Sequence, residues 1–236
     1  MKKIESFSLE KLNLQHQGHS AVFQQLDFVF PAGKILWLKS EEGAGKSSLL
    51  QVMAGLMEPQ AGKYFINNID VFSLSFEEFL PYRLRIGYSF DYGGLINNKN
   101  LFDNLLLPLE YHKICDHEQA KKQVQELIQI FDFQKYADER PAHVPGRVRK
   151  LTCLIRALVL KPDLLLLDDP SVGIGYESCQ TLCKYILEQR QQGFFQHVIM
   201  SSYDEKFMNM FHPEVIYLSE GHLYFEPSIY KKLVNL

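Results

Sequence analysis

Glu42-Gly43-Ala44-Gly45-Lys46-Ser47-Ser48 constrains the fold of this chain more than any other segment. It follows Ile35-Leu36-Trp37-Leu38, a short apolar run of strand type. Leu49, Leu50, Val52, Met53 and Leu56 come after it at helical spacing. A strand, a glycine-bearing loop with Lys-Ser, and a helix together make the setting of a phosphate-binding loop. Gly43 and Gly45 let backbone N–H groups turn inward around an anion, where a Cβ would crowd. The helix beginning near Lys46 aims its free N–H groups and dipole at the same anion. Lys46 reaches the outer phosphates of a nucleotide, and the Ser47 hydroxyl suits Mg²⁺. The candidate cradle extends back through Glu41 to Ser40, which stands where the motif has its first glycine. The plain alternative, a Gly/Ser turn with a chance lysine, does not account for the strand and helix on either side.

The remaining chain reads as α/β. Residues 7–30 alternate as strands with a turn at 15–20, and residues 62–70 form a hairpin around Asn67-Asn68. Residues 85–90 make a strand ending at Asp91. Residues 101–131 are largely helical, with Pro108 predicted to break the run and 118–131 amphipathic. A second such helix is predicted over 149–160. Leu164-Leu165-Leu166-Leu167 is apolar throughout, like a buried parallel strand, and ends in Asp168-Asp169-Pro170. A helix over 176–191, a strand over 197–202 and a hairpin around Ser219-Glu220-Gly221 complete the pattern. The expectation is a single domain over 1–236, with a core of 1–90 and 161–236 and a helical subdomain of about 91–160.

Composition sets bounds on partners. The net charge of −3 gives no electrostatic case for nucleic acid as a main ligand. No apolar stretch is long enough to span a bilayer, because Arg156, Lys161, Pro162 and Asp163 interrupt the nearest candidate at 151–167. Met1-Lys2-Lys3-Ile4-Glu5 leads into no apolar signal-type run. Cys115, Cys153, Cys179 and Cys183 show no metal-type pairing and read as reduced thiols suited to a reducing cytosol.

This order of segments resembles the ATP-binding subunit of ABC transporters over almost the whole chain. Residues 43–48 match the family's Walker A loop, residues 164–170 its Walker B strand with the adjoining catalytic position, and residues 199–204 its switch region. The signature falls at 143–148. The resemblance implies a P-loop NTPase fold of ABC type. It has a mainly parallel core sheet, an N-terminal antiparallel β subdomain and a helical subdomain. It also implies ATP and Mg²⁺ as cofactors, with Ser47, Asp91 and Asp168 toward the metal. The implied partners are a transmembrane permease and a second ATP-binding subunit, with the chain in the cytoplasm at the inner face of the membrane. Phe90-Asp91-Tyr92-Gly93-Gly94-Leu95-Ile96 and the run from Asn100-Leu101-Phe102-Asp103-Asn104 to Pro108-Leu109 look like the Mla/MCE-type lipid transporter ATPases, where this region faces the membrane subunit.

Several positions depart from the family pattern. Asp169 replaces the glutamate that acts as general base and is one methylene shorter. Asp91 replaces the glutamine near Mg²⁺, Tyr203 the switch histidine, and Gly175 an aspartate. Val144-Pro145-Gly146-Arg147-Val148 replaces Leu-Ser-Gly-Gly-Gln/Met. Pro145 has no N–H and no hydroxyl to offer a phosphate. Arg147 reads either as a phosphate fork or as a solvated charge. His16 or Gln17 takes the place of the adenine-stacking aromatic. Three readings follow: a subunit that binds ATP–Mg²⁺ with weak or lost hydrolysis and serves a lipid transporter; an active ATPase of another importer that uses Asp169; and a scaffold without nucleotide. A P-loop kinase or GTPase explains neither the helical insert nor the Asp168-Asp169-Pro170 ending.

Overall fold

The computed structural model describes residues 2–15, 21–90 and 94–225. Two sheets carry the fold. The first is antiparallel, in the order β2-β1-β4-β5, from β1 (Phe7–Gln15), β2 (Ala21–Val29), β4 (Ala61–Ile66) and β5 (Ile69–Asp70). Its β4–β5 hairpin turns through Asn67 (φ 50) and Asn68 (φ 62), as the sequence predicts; asparagine tolerates this left-handed turn. The second sheet has the order β10-β9-β3-β8-β7-β6, from β3 (Ile35–Ser40), β6 (Ile86–Ser89), β7 (Leu164–Asp168), β8 (His197–Ser201), β9 (Glu214–Ser219) and β10 (His222–Phe225). Its members from β9 to β6 run parallel, and β10 closes one edge antiparallel.

The strand periodicity of two explains how this sheet is buried on both faces. Leu164, Leu165, Leu166 and Leu167 are all fully buried. Leu164 and Leu166 join Leu36, Leu38 and Ile199 in a core shared with the antiparallel sheet and with α1 (Lys46–Met53). Leu165 and Leu167 join Trp37, Val198 and Met200 in a second core on the opposite face. That core is filled by α3 (Leu101–Tyr111), α4 (His117–Ile130), α5 (Gly146–Leu158), α6 (Tyr176–Gln191) and α7 (Glu205–Asn209). The remaining helix, α2 (Phe76–Arg83), precedes β6.

Two helix predictions need correction. Pro108 does not break its helix and lies inside α3. Proline removes its own N–H bond and crowds the carbonyl four residues before it, and the buried face of Leu101, Leu105, Leu106 and Leu109 holds the helix across the gap. Asn104, fully buried, ties the start of α3 to the preceding loop, with its Nδ2 donating to Asn100 O (2.8 Å) and Ile96 O (3.1 Å). The helix predicted over 149–160 begins three residues earlier, at Gly146, with Pro145 as its N-cap. The four cysteines are free, as expected. Burial pushes the Cys179 thiol up to about 11, with Asp204 adding to the shift. Among the described residues no helix is long and apolar enough to cross a membrane.

Candidate functional site

The site gathers at the C-terminal ends of the parallel strands, where ligands of open α/β sheets bind. β3 ends at Ser40, which pairs with Leu218 of β9. The chain then turns through Glu41, Glu42, Gly43 (φ 78) and Ala44 to Gly45 (φ 97), the N-cap of α1. Gly45 is required twice over. Its backbone is left-handed, and a Cβ there would stand 2.2 Å from Val22 Cγ1 of β2. The first turn of α1 carries no acidic residue and no side-chain cap, so its amides and dipole are left facing the loop. Ser47 is exposed on that turn and Ser48 is buried beneath it.

Lys46 is the centre of this loop. Only 7% of it is exposed. Its ammonium donates to Ser40 Oγ at 2.8 Å and to Tyr203 Oη at 2.7 Å, and it lies 4.1 Å from the Tyr203 ring centroid. Both partners are hydroxyl groups, and no described carboxylate pairs with it. A buried cation without a counter-charge is costly, and an anion in the loop would supply one. Ser40, read from sequence as a missing glycine, is thereby a ligand of the lysine.

The two acids of the Asp168-Asp169 pair are held by one residue that sequence reasoning did not single out. Ser201, fully buried at the end of β8, donates its hydroxyl to Asp168 Oδ1 at 2.6 Å. Ser201 Oγ in turn accepts the Asp169 N–H at 3.1 Å, as does the Ser201 carbonyl. Asp169 sits at φ 42, a left-handed conformation in which aspartate is enriched among non-glycine residues. Register explains the placement: Leu38 and Asp168 both pair with Ser201, so β3, β8 and β7 deliver their ends in one row. A hydroxyl closing the apolar run Val198-Ile199-Met200 was the signal available in the sequence.

Two residues beyond Ser201 the chain reaches Tyr203, which is 56% exposed. Its neighbours fix the backbone there. Trp37 Nε1 donates to Ser202 O (2.9 Å), Ser202 Oγ accepts the Asp204 N–H (3.1 Å), and Asp204 caps α7 by accepting from Phe207 N (3.0 Å). A cavity of about 620 Å³ opens on this side, lined by Trp37, Ser40, Ala44, Tyr203 and Tyr217 among others.

The residues expected to form the signature stand apart from this cluster. Val144 is buried, whereas Pro145, Gly146 and Arg147 are exposed at the start of α5. Arg147 Nη2 lies 3.2 Å from Ser178 Oγ of α6. It lines a separate cavity of about 510 Å³ with Ser171, Gly173, Gly175 and Tyr176. Gly175 takes φ 79 and ψ 159, a backbone region essentially closed to other residues. His16 and Asp91 lie outside the described residues.

Comparison with known proteins adds to this geometry. Residues 23–172 match the family model described as ABC transporter. The chain is similar to the methionine import ATP-binding protein MetN 1 of Acinetobacter baylyi, at 27% identity over 93% of this chain and 61% of the relative. It is also similar to the probable ribonucleotide transport ATP-binding protein mkl of Mycobacterium leprae, at 30% identity over 74% of this chain and 50% of the relative. The chain thus spans about half to three-fifths of the length of these curated relatives. Among solved structures it resembles a dimeric post-hydrolysis state of the ATP-binding cassette MJ0796 bound to ADP and Pi. The TM-score is 0.83 at 20% identity, covering 93% of this chain and 98% of that one. A second dimeric structure of MJ0796, a bacterial ABC transporter cassette, gives the same TM-score over 92% and 96%. These likenesses bear out the predicted fold class.

Proposed function

The chain belongs to the ABC transporter family, and from that premise we propose that it is an ATP-binding subunit that holds ATP–Mg²⁺ and cleaves it slowly or not at all. The observation that carries this reading is Lys46, a buried ammonium at the mouth of a glycine loop with two hydroxyls and no carboxylate for partners. Polyphosphate is the anion that such a loop and an uncapped helix start accept. Mg²⁺ fits the same place. It keeps most of its water and needs few protein oxygens, and Ser47 and Asp168 are the residues that would hold it. ATP, when bound, supplies a phosphoanhydride whose cleavage would drive transport.

Slow cleavage is argued from Asp169 and its neighbours. A base displaced by about 1 Å costs on the order of 10²-fold in rate. The Asp169 N–H is held by both Ser201 oxygens, so the backbone is not free to move forward and restore the reach of glutamate. Tyr203 cannot carry the positive charge of an imidazole. In a head-to-tail dimer each site would borrow the signature of the opposing subunit. Pro145 would bring no donor to it, and Arg147 is turned toward its own α6.

The proposed partners are a second ATP-binding subunit and a membrane permease reached through residues 92–101, with the chain at the cytoplasmic face of the membrane. The proposed cargo is lipid, on the likeness of residues 90–96 and 100–109 to lipid-transporter ATPases. The names of the relatives favour a second reading, an active ATPase serving an importer of small metabolites.

ATP affinity and turnover, measured together on the chain alone and with its permease, test the proposal. Lys46→Ala should weaken ATP at least about tenfold, since hydrogen bonds to charged groups contribute about 1.5–3 kcal/mol. An unchanged affinity would mean the loop is not a phosphate site. Turnover of about 1 s⁻¹ or faster would replace slow cleavage with the second reading. Phospholipid transfer between vesicles by the reconstituted complex tests the cargo, and transfer of a small metabolite alone would exclude lipid.

A further inference from the structure

Two departures from the family pattern, far apart in sequence, meet on one nitrogen. Ser40 and Tyr203 both accept hydrogen bonds from Lys46 Nζ, at 2.8 and 2.7 Å. An ammonium has three N–H donors, so two of them are committed. The Tyr203 ring centroid is 4.1 Å from the same nitrogen. The ring therefore fills part of the shell through which a phosphate oxygen would approach to about 2.8 Å.

We infer that Tyr203 is an internal cap on the phosphate loop: its phenol holds Lys46, and it must turn away before a polyphosphate can take the lysine. The inference rests on the nucleotide-binding reading above and adds a control on it. Binding then carries the cost of breaking a charge-assisted hydrogen bond and a cation–π contact, so the affinity is set partly by the cap.

The surroundings allow the movement. Tyr203 is 56% exposed, so little packing opposes a change of rotamer. Its backbone stays anchored by Trp37 Nε1 on Ser202 O and by the Asp204 cap of α7. The adjoining cavity of about 620 Å³, lined by Trp37, Tyr203 and Tyr217, has room for the displaced ring. Ser40 lies at the end of β3, fixed by pairing with β9, and is not expected to move with it.

The test uses the full chain with two probes, ATP and inorganic triphosphate, the second having no base to contact. Tyr203→Ala should bind both about five- to tenfold more tightly than the unaltered chain, with Tyr203→Phe in between. Without any nucleotide, Lys46 should be acetylated by acetic anhydride several-fold faster in Tyr203→Ala, read by mass spectrometry. Without ligand, Tyr203→Ala should be less stable than the parent by about 1–1.4 kcal/mol, the same five- to tenfold expressed as free energy, because the ligand-free chain loses the contact with Lys46. Equal or weaker binding by Tyr203→Ala overturns the cap and leaves the nucleotide reading standing. Failure of the unaltered chain and Tyr203→Ala alike to bind either probe overturns both.

Discussion

Replacing Arg85 with alanine should destabilise the protein by about 3 kcal/mol without altering nucleotide affinity. Asp163, fully buried, precedes β7 at the N-terminal ends of the parallel strands, opposite the glycine loop. Its Oδ2 accepts from Arg85 Nε (2.8 Å) and from the Ile4 N–H (2.9 Å), and Arg85 Nη2 pairs with Oδ1. Removing the guanidinium leaves a buried carboxylate with the Ile4 amide alone. Breaking one half of a buried ion pair costs about 3–5 kcal/mol. The lower end applies, because the Arg85 side chain is 20% exposed and water can follow into its place. Urea unfolding measures the loss. The double variant Arg85→Met/Asp163→Leu should recover more than half of it, since no charge then remains, although the Ile4 N–H loses its acceptor. A loss under about 1 kcal/mol for Arg85→Ala, or no recovery in the double variant, would refute the reasoning. So would a matching fall in ATP affinity, because the pair lies at the far ends of the strands.

His197 and Gly175 give the remaining expectations. His197, buried, accepts the Gly33 N–H at Nδ1 (3.0 Å), and its Nε2 faces Ile4 O (3.0 Å), a pairing that only the neutral ring satisfies. Burial lowers its proton affinity below the ordinary 6.5, against the raising effects of Ile4 O and Asp163 and with smaller lowering by Arg190 and Lys3. The unfolded chain therefore binds the proton more readily, so this stability is fully present above about pH 6.5 and declines as pH falls below it. Comparing unfolding free energies of the parent and His197→Gln across pH checks this, and a difference that stays flat below pH 6.5 counts against it. Gly175→Asp, which restores the family's carboxylate, should cost about 1–3 kcal/mol in thermal or urea unfolding because of its backbone angles. A neutral effect would mean that the loop relaxes freely.

Much of this architecture was legible because burial writes itself into periodicity. Leu164 to Leu167 are apolar without alternation since each face of β7 meets a different core. The phosphate loop was legible because its glycines answer to backbone geometry that few other sequences need. What escaped was local. α2 has a weak apolar stripe and an internal Pro81, yet Ser75 and Glu78 form a capping box that marks its start. α7 is a single turn, with Asp204 as its only announcement. The true start of α5 at Gly146 was missed because its N-cap, Pro145, has no side-chain oxygen to mark it. Ser201 escaped because its importance lies in register. Nothing in the sequence says which strand lies between β3 and β7.

That middle strand joins the two halves of the candidate site. β3, the loop and α1 build the phosphate cradle, and Gly45 fits it against β2. β8 lies between β3 and β7, so whatever ends β8 must serve both neighbours. Ser201 turns toward β7 and fixes the acids; Tyr203 turns toward β3 and holds Lys46. A change at the end of β8 can therefore alter the hold on the lysine and the placing of Asp169 without disturbing the loop itself. In the proposed reading, a departure at the end of β8 or β7 acts on access to Lys46 and on the placing of Asp169, while β3 and α1 keep the shape of the loop.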